Sequence, residues 1–204
     1  RRPQGLRPIP RRPPRAQMTS ESAPTPSDEA LASALRDGDD TALDALMLRW
    51  QLPLRAFLFR HLQNEADALD LAQDTFVRIY RHRENYREGA RFSTWMFQIA
   101  LNLCRDHGRR RTRRPLVALE ASPESIDSHP SPAAAALADE RTAAIRAAIA
   151  ALPDNLRAPL LLSTYENLSH IEIAETLHAT PKAVETRLAR ARDQLRQKLA
   201  RWLA

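Results

Sequence analysis

The chain has 204 residues, 43% of them hydrophobic and only four of them glycine, a composition that suits one ordinary domain or two small helical ones better than a sheet. Its net charge of +6 points toward nucleic acid, but residues 1–15 hold six arginines and no acid, which leaves 31 − 6 = 25 basic against 25 acidic residues elsewhere, so charge clusters rather than the total must carry the reading. The single cysteine, Cys104, excludes an internal disulfide and a cysteine-built metal site; with no apolar run near the roughly 18 residues of a membrane helix and no signal-peptide core, a cytoplasmic protein is expected.

Residues 1–26 read as a basic, proline-rich, disordered N-terminus. Met18 follows a Pro/Arg stretch unlike any folded element, so either translation starts at Met18 or residues 1–17 form a basic arm. Residues 27–114 carry helical periodicity almost throughout. Leu43, Leu46, Met47, Trp50, Leu54, Phe57 and Leu58 recur at three- and four-residue steps behind Thr41, the expected N-cap, with Pro53 expected to kink the helix. A second helix is predicted over 67–81, burying Leu69, Ala72, Phe76 and Tyr80. A third is predicted over 92–109 with Phe92, Trp95, Met96, Ile99 and Leu103 inward, after a loop marked by Asn85 and Gly89.

The second helix also carries Asp67, Asp70 and Asp74, with Gln73 beside them and Arg78 and Arg81 beyond. Acids early in a helix are favoured by its dipole, but an acidic face suits a protein partner better than phosphate. Three aspartates on one helix cannot surround an octahedral cation, so neither a metal site nor nuclease chemistry is expected, and no cofactor or catalytic residue is assigned. The third helix has the opposite character. Gln98, Asn102, Arg105 and Arg109 share a polar stripe, and residues 105–114 hold six arginines against one aspartate. Upstream, Tyr86, Phe92 and Trp95 interleave with Arg87 and Arg91, a mixture suited to stacking an unpaired base and holding its phosphates.

A Pro/Ser-rich stretch then interrupts the periodicity, and residues 115–136 read as a flexible linker. From 137 to 204 helical patterns return, at about 137–152, 154–165, 169–177 and 181–201. Ser169 and Glu172 form a capping box, Thr180 and Pro181 start another helix, and the short "LHAT" between them gives a helix-turn-helix. His178 takes a turn position open to left-handed backbone. With Val184, Leu188, Ala191, Leu195 and Leu199 inward, Lys182, Glu185, Thr186, Ala189, Arg190 and Asp193 face out, small, polar and cationic side chains that a major groove accepts. The fold class is therefore all-α: two small helical domains on a tether, the second a helix-turn-helix. These features alone also fit a one-component regulator binding palindromic duplex DNA.

The segments "DALDLAQDTFVRIYRH", "YREGARFSTWMFQIALNLCRDHGRR", "ALPDNLRAPLLL" and "LSHIEIAETLHATPKAVETRLARARDQLRQKL", in this order and spacing, resemble the extracytoplasmic-function sigma factors of the sigma-70 family, from about residue 28 to the C-terminus. The resemblance implies a non-enzymatic initiation factor for bacterial RNA polymerase. It assigns Asp70, Gln73 and Asp74 to the β′ coiled coil of core polymerase. Opening of the −10 element falls to Tyr86, Arg87, Trp95 and Asn102 with the stripe of Gln98, Arg105 and Arg109, and the −35 element to Lys182, Glu185, Thr186, Ala189 and Arg190 on a unit that also meets the β flap. It implies an anti-sigma partner, often membrane-anchored. Two departures stand out: His178 replaces the family's common turn glycine, and Glu185 stands where a basic residue is frequent.

Overall fold

The computed structural model describes residues 25–113 and 132–203. Most of the expected basic N-terminus and most of the expected linker lie outside the described residues.

The first unit has four helices: α1 (Asp28–Arg36), α2 (Thr41–Leu62), α3 (Glu65–Arg81) and α4 (Phe92–Arg113), with a single 3-10 turn over Arg83–Asn85 before α4. Helix α1 has no counterpart among the predicted helices. Ser27 caps it by accepting from the Ala30 amide at 3.1 Å, Asp28 and Glu29 occupy its first turn, and Leu31, Ala32 and Leu35 are buried. Asp28 also holds α1 to α2, accepting from Arg49 at 2.8 Å and from the Trp50 indole N–H at 2.9 Å.

Thr41 does not cap α2. It is the first helical residue, and its amide and hydroxyl both donate to the Asp39 carboxylate, at 3.0 and 2.6 Å. The helix runs unbroken in span through Pro53. Helix α3 starts two residues before the predicted Asp67, because Asn64 accepts from the Asp67 amide at 2.9 Å and so fixes the first turn. Leu69, expected inside, is 41% exposed; the buried stripe is Ala68, Leu71, Ala72, Thr75, Phe76 and Ile79. Tyr80 is half-buried, and its hydroxyl donates to Asp40 at 3.1 Å.

An aromatic cluster sits within the largely aliphatic core of this unit. Phe57 and Phe97 lie 4.8 Å apart, with Trp50 edge-on to Phe97 at 6.1 Å and tilted on Phe92 at 6.2 Å. On α4 the buried stripe is Phe92, Met96, Phe97, Ala100, Leu101, Leu103 and Cys104, while Trp95 and Ile99 are half-buried.

The second unit is α5 (Pro132–Ala150), α6 (Asp154–Thr164), α7 (His170–Leu177), α8 (Pro181–Lys198) and a final turn α9 (Ala200–Leu203). Residues 132–136, expected to be linker, are helical: Pro132 stands at the first position, where its missing N–H costs nothing, and alanines follow. Alanines carry no hydrophobic stripe, so periodicity passes over this start. The helix-turn-helix forms as expected. Ser169 accepts from the Glu172 amide at 3.3 Å and the Glu172 carboxylate accepts from the Ser169 amide at 2.7 Å, while His178 sits at φ 50°, ψ 49°. Thr180 accepts from the Ala183 amide at 3.2 Å to open α8. Val184, Leu188 and Ala191 are buried against Ile173, Ala174 and the α6 leucines, with Leu195 and Leu199 half-buried.

The two units share a seam. Arg157 of α6 donates to Ala150 and Leu152 carbonyls at 2.6 Å each and to Ile149 at 3.2 Å, tying down the end of α5; it also donates across the seam to the His61 carbonyl at 2.9 Å. Nearby, the Arg60 guanidinium lies 4.1 Å over the Tyr165 ring. At the other end of the seam, α7 rests on α4.

Candidate nucleic-acid interface

All five residues expected to read duplex DNA, Lys182, Glu185, Thr186, Ala189 and Arg190, are exposed along one face of α8. Thr180 and Pro181 start the helix, and the buried Val184 and Leu188 fix which face is presented. Glu185 is held by Lys182 at 2.8 Å, a contact that keeps its carboxyl below the usual carboxylate range. The Thr186 hydroxyl donates back to the Lys182 carbonyl at 2.9 Å.

The other predicted nucleic-acid residues lie on the 86–91 loop and α4. Asn102 and Arg105 are exposed and paired, with the guanidinium donating to the Asn102 side-chain oxygen at 2.6 Å. Arg109 and Arg87 are exposed, the first further along the same helix and the second on the loop. Tyr86 differs from expectation. Only 3% of it is exposed, its hydroxyl donates to the Ala90 carbonyl, and burial pushes that hydroxyl's pKa up. It packs 5.3 Å from Trp95 and shapes the loop instead of offering a free stacking face. Trp95, half-buried, also touches Phe92 at 6.4 Å.

Gln98 is half-buried and already partnered on the polar stripe. Its amide donates to the Glu175 carbonyl at 3.1 Å and lies 3.2 Å from His178 Nε2. Arg91 pairs with Glu172, whose carboxyl is held down to about 2 by that guanidinium and by Ser169. Between the loop and α7 lies a cavity of about 730 Å³ lined by Arg87, Arg91, Thr94, Trp95 and Gln98 on one side and by Glu172, Glu175 and His178 on the other. The Thr94 hydroxyl is buried there with no hydrogen-bond partner among the described residues. Neither this threonine nor the ion pair is legible in the sequence: Arg91 and Glu172 are 81 positions apart.

On α3, Asp70, Gln73 and Asp74 are exposed together, as expected. Asp67 is separated from them, because its carboxylate faces His107 of α4 at 3.2 Å. Leu69 and Val77, 41% and 44% exposed, make this surface part apolar, which the acidic pattern concealed. Among the described residues no three His, Cys, Asp or Glu side chains gather as a metal-binding group, and no helix is long and apolar enough to cross a membrane.

Two stretches match known family profiles: residues 46–114 match sigma-70 region 2, and residues 142–195 match sigma-70 region 4. The ECF RNA polymerase sigma factor SigE of Mycolicibacterium smegmatis is 35% identical over 194 residues, spanning 91% of this chain and 74% of that one. The chain belongs to the extracytoplasmic-function sigma factors. The RNA polymerase sigma-H factor of Pseudomonas aeruginosa is 32% identical over 176 residues, 82% of this chain and 91% of that protein. Among solved structures, CnrH in complex with the cytosolic domain of CnrY aligns with a TM-score of 0.65 at 28% identity, covering 85% of this sigma factor and 97% of CnrH. RpoE from Bartonella quintana, at 20% identity and a TM-score of 0.62, shares the fold over 77% of this chain and 96% of its own. Region 2 thus falls on the first unit and region 4 on the helix-turn-helix unit.

Proposed function

We propose that this sigma factor binds core RNA polymerase, recognises the −10 and −35 elements of promoters, opens the −10 duplex and so starts transcription in the cytoplasm, without catalysis of its own. One observation carries the reading: two cationic faces on different units, with an exposed acidic stripe on α3 that packing does not require. A duplex reader alone needs only α8. A protein that must hold polymerase, a melted strand and a duplex element together needs all three.

Residues 27–114 are assigned to polymerase docking and promoter opening, and the unit from α5 onward to the −35 element and the β flap. Asp70, Gln73 and Asp74 make the β′ coiled-coil contact, with Leu69 and Val77 adding apolar area. Arg87, Trp95, Gln98, Asn102, Arg105 and Arg109 serve the −10 strand; Tyr86 shapes the loop. Lys182, Glu185, Thr186, Ala189 and Arg190 read the −35 element. CnrH forms a complex with the cytosolic domain of CnrY, and a protein partner, an anti-sigma factor, is proposed for this chain.

Permanganate footprinting on a promoter library tests the reading. The chain with core polymerase should yield reactive thymines on a subset of fragments, Asn102→Ala should abolish that reactivity while core binding persists, and Asp74→Arg should weaken core binding at unchanged helicity. Tight binding of the chain alone to palindromic duplexes, without strand opening in the presence of core, would replace the reading with a one-component regulator.

A further inference from the structure

Helix α3 changes sign along its outward stripe. Asp70 and Asp74 come first, then Arg78 and Arg81, at steps of four, four and three that keep all four on one side of the helix. The acidic half has the polymerase contact; the basic half serves neither the −10 nor the −35 face. Beside it α3 and α4 part to leave a groove of about 210 Å³, floored by the buried Leu71 and Leu103 and flanked by Arg78, Arg81 and Arg110. His107 also lines the groove but is already met by Asp67 at 3.2 Å. The three guanidiniums make no hydrogen bond or ion pair among the described residues. The dipole of α3 favours cations in its last turn, which accounts for Arg78 and Arg81 but not for Arg110, brought to them by a different helix. Three like charges around one groove repel, and an anion seated among them relieves all three at once.

Two features choose the anion. The groove is smaller than the roughly 300–1,000 Å³ of a pocket for a whole organic ligand, so it has room for one inserted side chain. Asp74 and Asp106 stand on its walls; with Asp70 they repel a continuous phosphate chain but leave space for a single carboxylate, which guanidinium groups grip in bidentate fashion. We infer that the groove takes a glutamate or aspartate of the polymerase coiled coil docked on Asp70, Gln73 and Asp74, and that the sign change along α3 sets the direction in which that partner lies. The inference rests on the functional reading above. In one direction the partner brings cations to Asp70 and Asp74 and a carboxylate to Arg78, Arg81 and Arg110. Turned end for end, it sets like charge against like at both ends, a mismatch that excludes the wrong orientation. Val77, 44% exposed between the two halves of the sequence stripe, supplies apolar area in the middle of the contact.

Charge exchange on the full chain with core polymerase tests the groove. The double variant Arg78→Glu, Arg81→Glu should weaken core binding about tenfold or more at low salt, with the deficit shrinking as salt is raised. The double variant Arg78→Lys, Arg81→Lys keeps the charge and should lose no more than about threefold, the share that bidentate geometry adds. Arg110→Glu, on the opposite wall, should act in the same sense as the glutamate pair and serves if that pair loses helicity. Carboxylate-to-lysine substitutions scanned along the coiled coil then locate the partner. One of them should restore affinity to the glutamate pair, and it should lie to one side of the cation whose exchange to glutamate restores Asp74→Arg, which fixes the direction. Parental affinity in the glutamate pair, an equal loss in the lysine pair, or the lack of any restoring lysine overturns the groove. Intact core binding with lost promoter binding assigns it to phosphate and overturns it as well. A parent chain without affinity for core refutes the functional reading itself, whereas parental binding that ignores the charge exchange refutes the groove alone.

Discussion

The two faces proposed to meet the −10 and −35 elements are built on different physics. The −35 face is one side of a single helix whose opposite side is locked by Val184, Leu188 and Ala191, so its geometry follows from one buried stripe, two caps and a turn. The −10 face is spread over a loop and α4 and depends on how Tyr86, Trp95 and Phe92 stack and on what α7 places against Arg91 and Gln98. The first is a local object and the second a product of tertiary packing. The difference teaches that a helix-borne reader can stand open in the free chain, whereas a loop-borne one can be regulated by whatever packs on it.

The seam is where this contrast breaks most readily. Arg157 is mostly buried and satisfies carbonyls at the end of α5 as well as the His61 carbonyl of the first unit. Arg157→Ala strips a charged donor from several buried acceptors and should cost about 4 kcal/mol. Denaturant titration should show a lower midpoint, with the second unit lost first.

The same seam predicts an acid sensitivity. Burial first, and the nearby Arg157 second, lower the pKa of His61 from 6.5 to about 4. The folded chain therefore keeps His61 neutral where the unfolded chain protonates it. Stability is full above pH 6.5 and falls as pH drops toward about 4, by about 3 kcal/mol over that window. His61→Phe, which keeps the aromatic contact with Phe57, should flatten the melting temperature against pH in that range; an unaltered slope would place the acid sensitivity elsewhere.

Legibility in the sequence follows the same division. The capping box at Ser169, the Thr180–Pro181 start and the outward face of α8 were readable because each is settled within a few residues. The Asp70, Gln73 and Asp74 stripe was readable for the same reason. Leu69 was misplaced because hydrophobicity alone does not say which of two leucines two positions apart, Leu69 or Leu71, turns inward; packing of the stripe of Ala68, Leu71, Ala72, Thr75, Phe76 and Ile79 decides it. Tyr86 looked like a stacking residue because composition cannot show that Ala90 takes its hydroxyl. Gln98 belonged to the polar stripe by periodicity, but α7 comes from far along the chain, and no local pattern announces it.

Smaller effects sharpen the comparison on the open face. If Glu185 reads a base edge and Arg190 chiefly holds phosphate, Glu185→Arg should change the preferred base at one −35 position, by about 1–3 kcal/mol of discrimination, while Arg190→Ala should weaken all promoters alike. Selection from a randomised −35 library separates these outcomes; an unaltered preference with Glu185→Arg would leave the carboxylate as no more than a partner for Lys182. Smaller still, Ser169→Ala removes one half of the capping box and should cost about 1 kcal/mol in stability, with −35 sequence preference unchanged because α8 keeps its own cap at Thr180.

Run-off transcription with purified core polymerase tests the central claim most directly. Core alone should initiate only at background, and core with this chain should give discrete transcripts from promoters bearing suitable −10 and −35 elements, with Asp74→Arg reducing every transcript alike. No transcript above background from any member of a promoter library, with core shown to be active, would contradict the account.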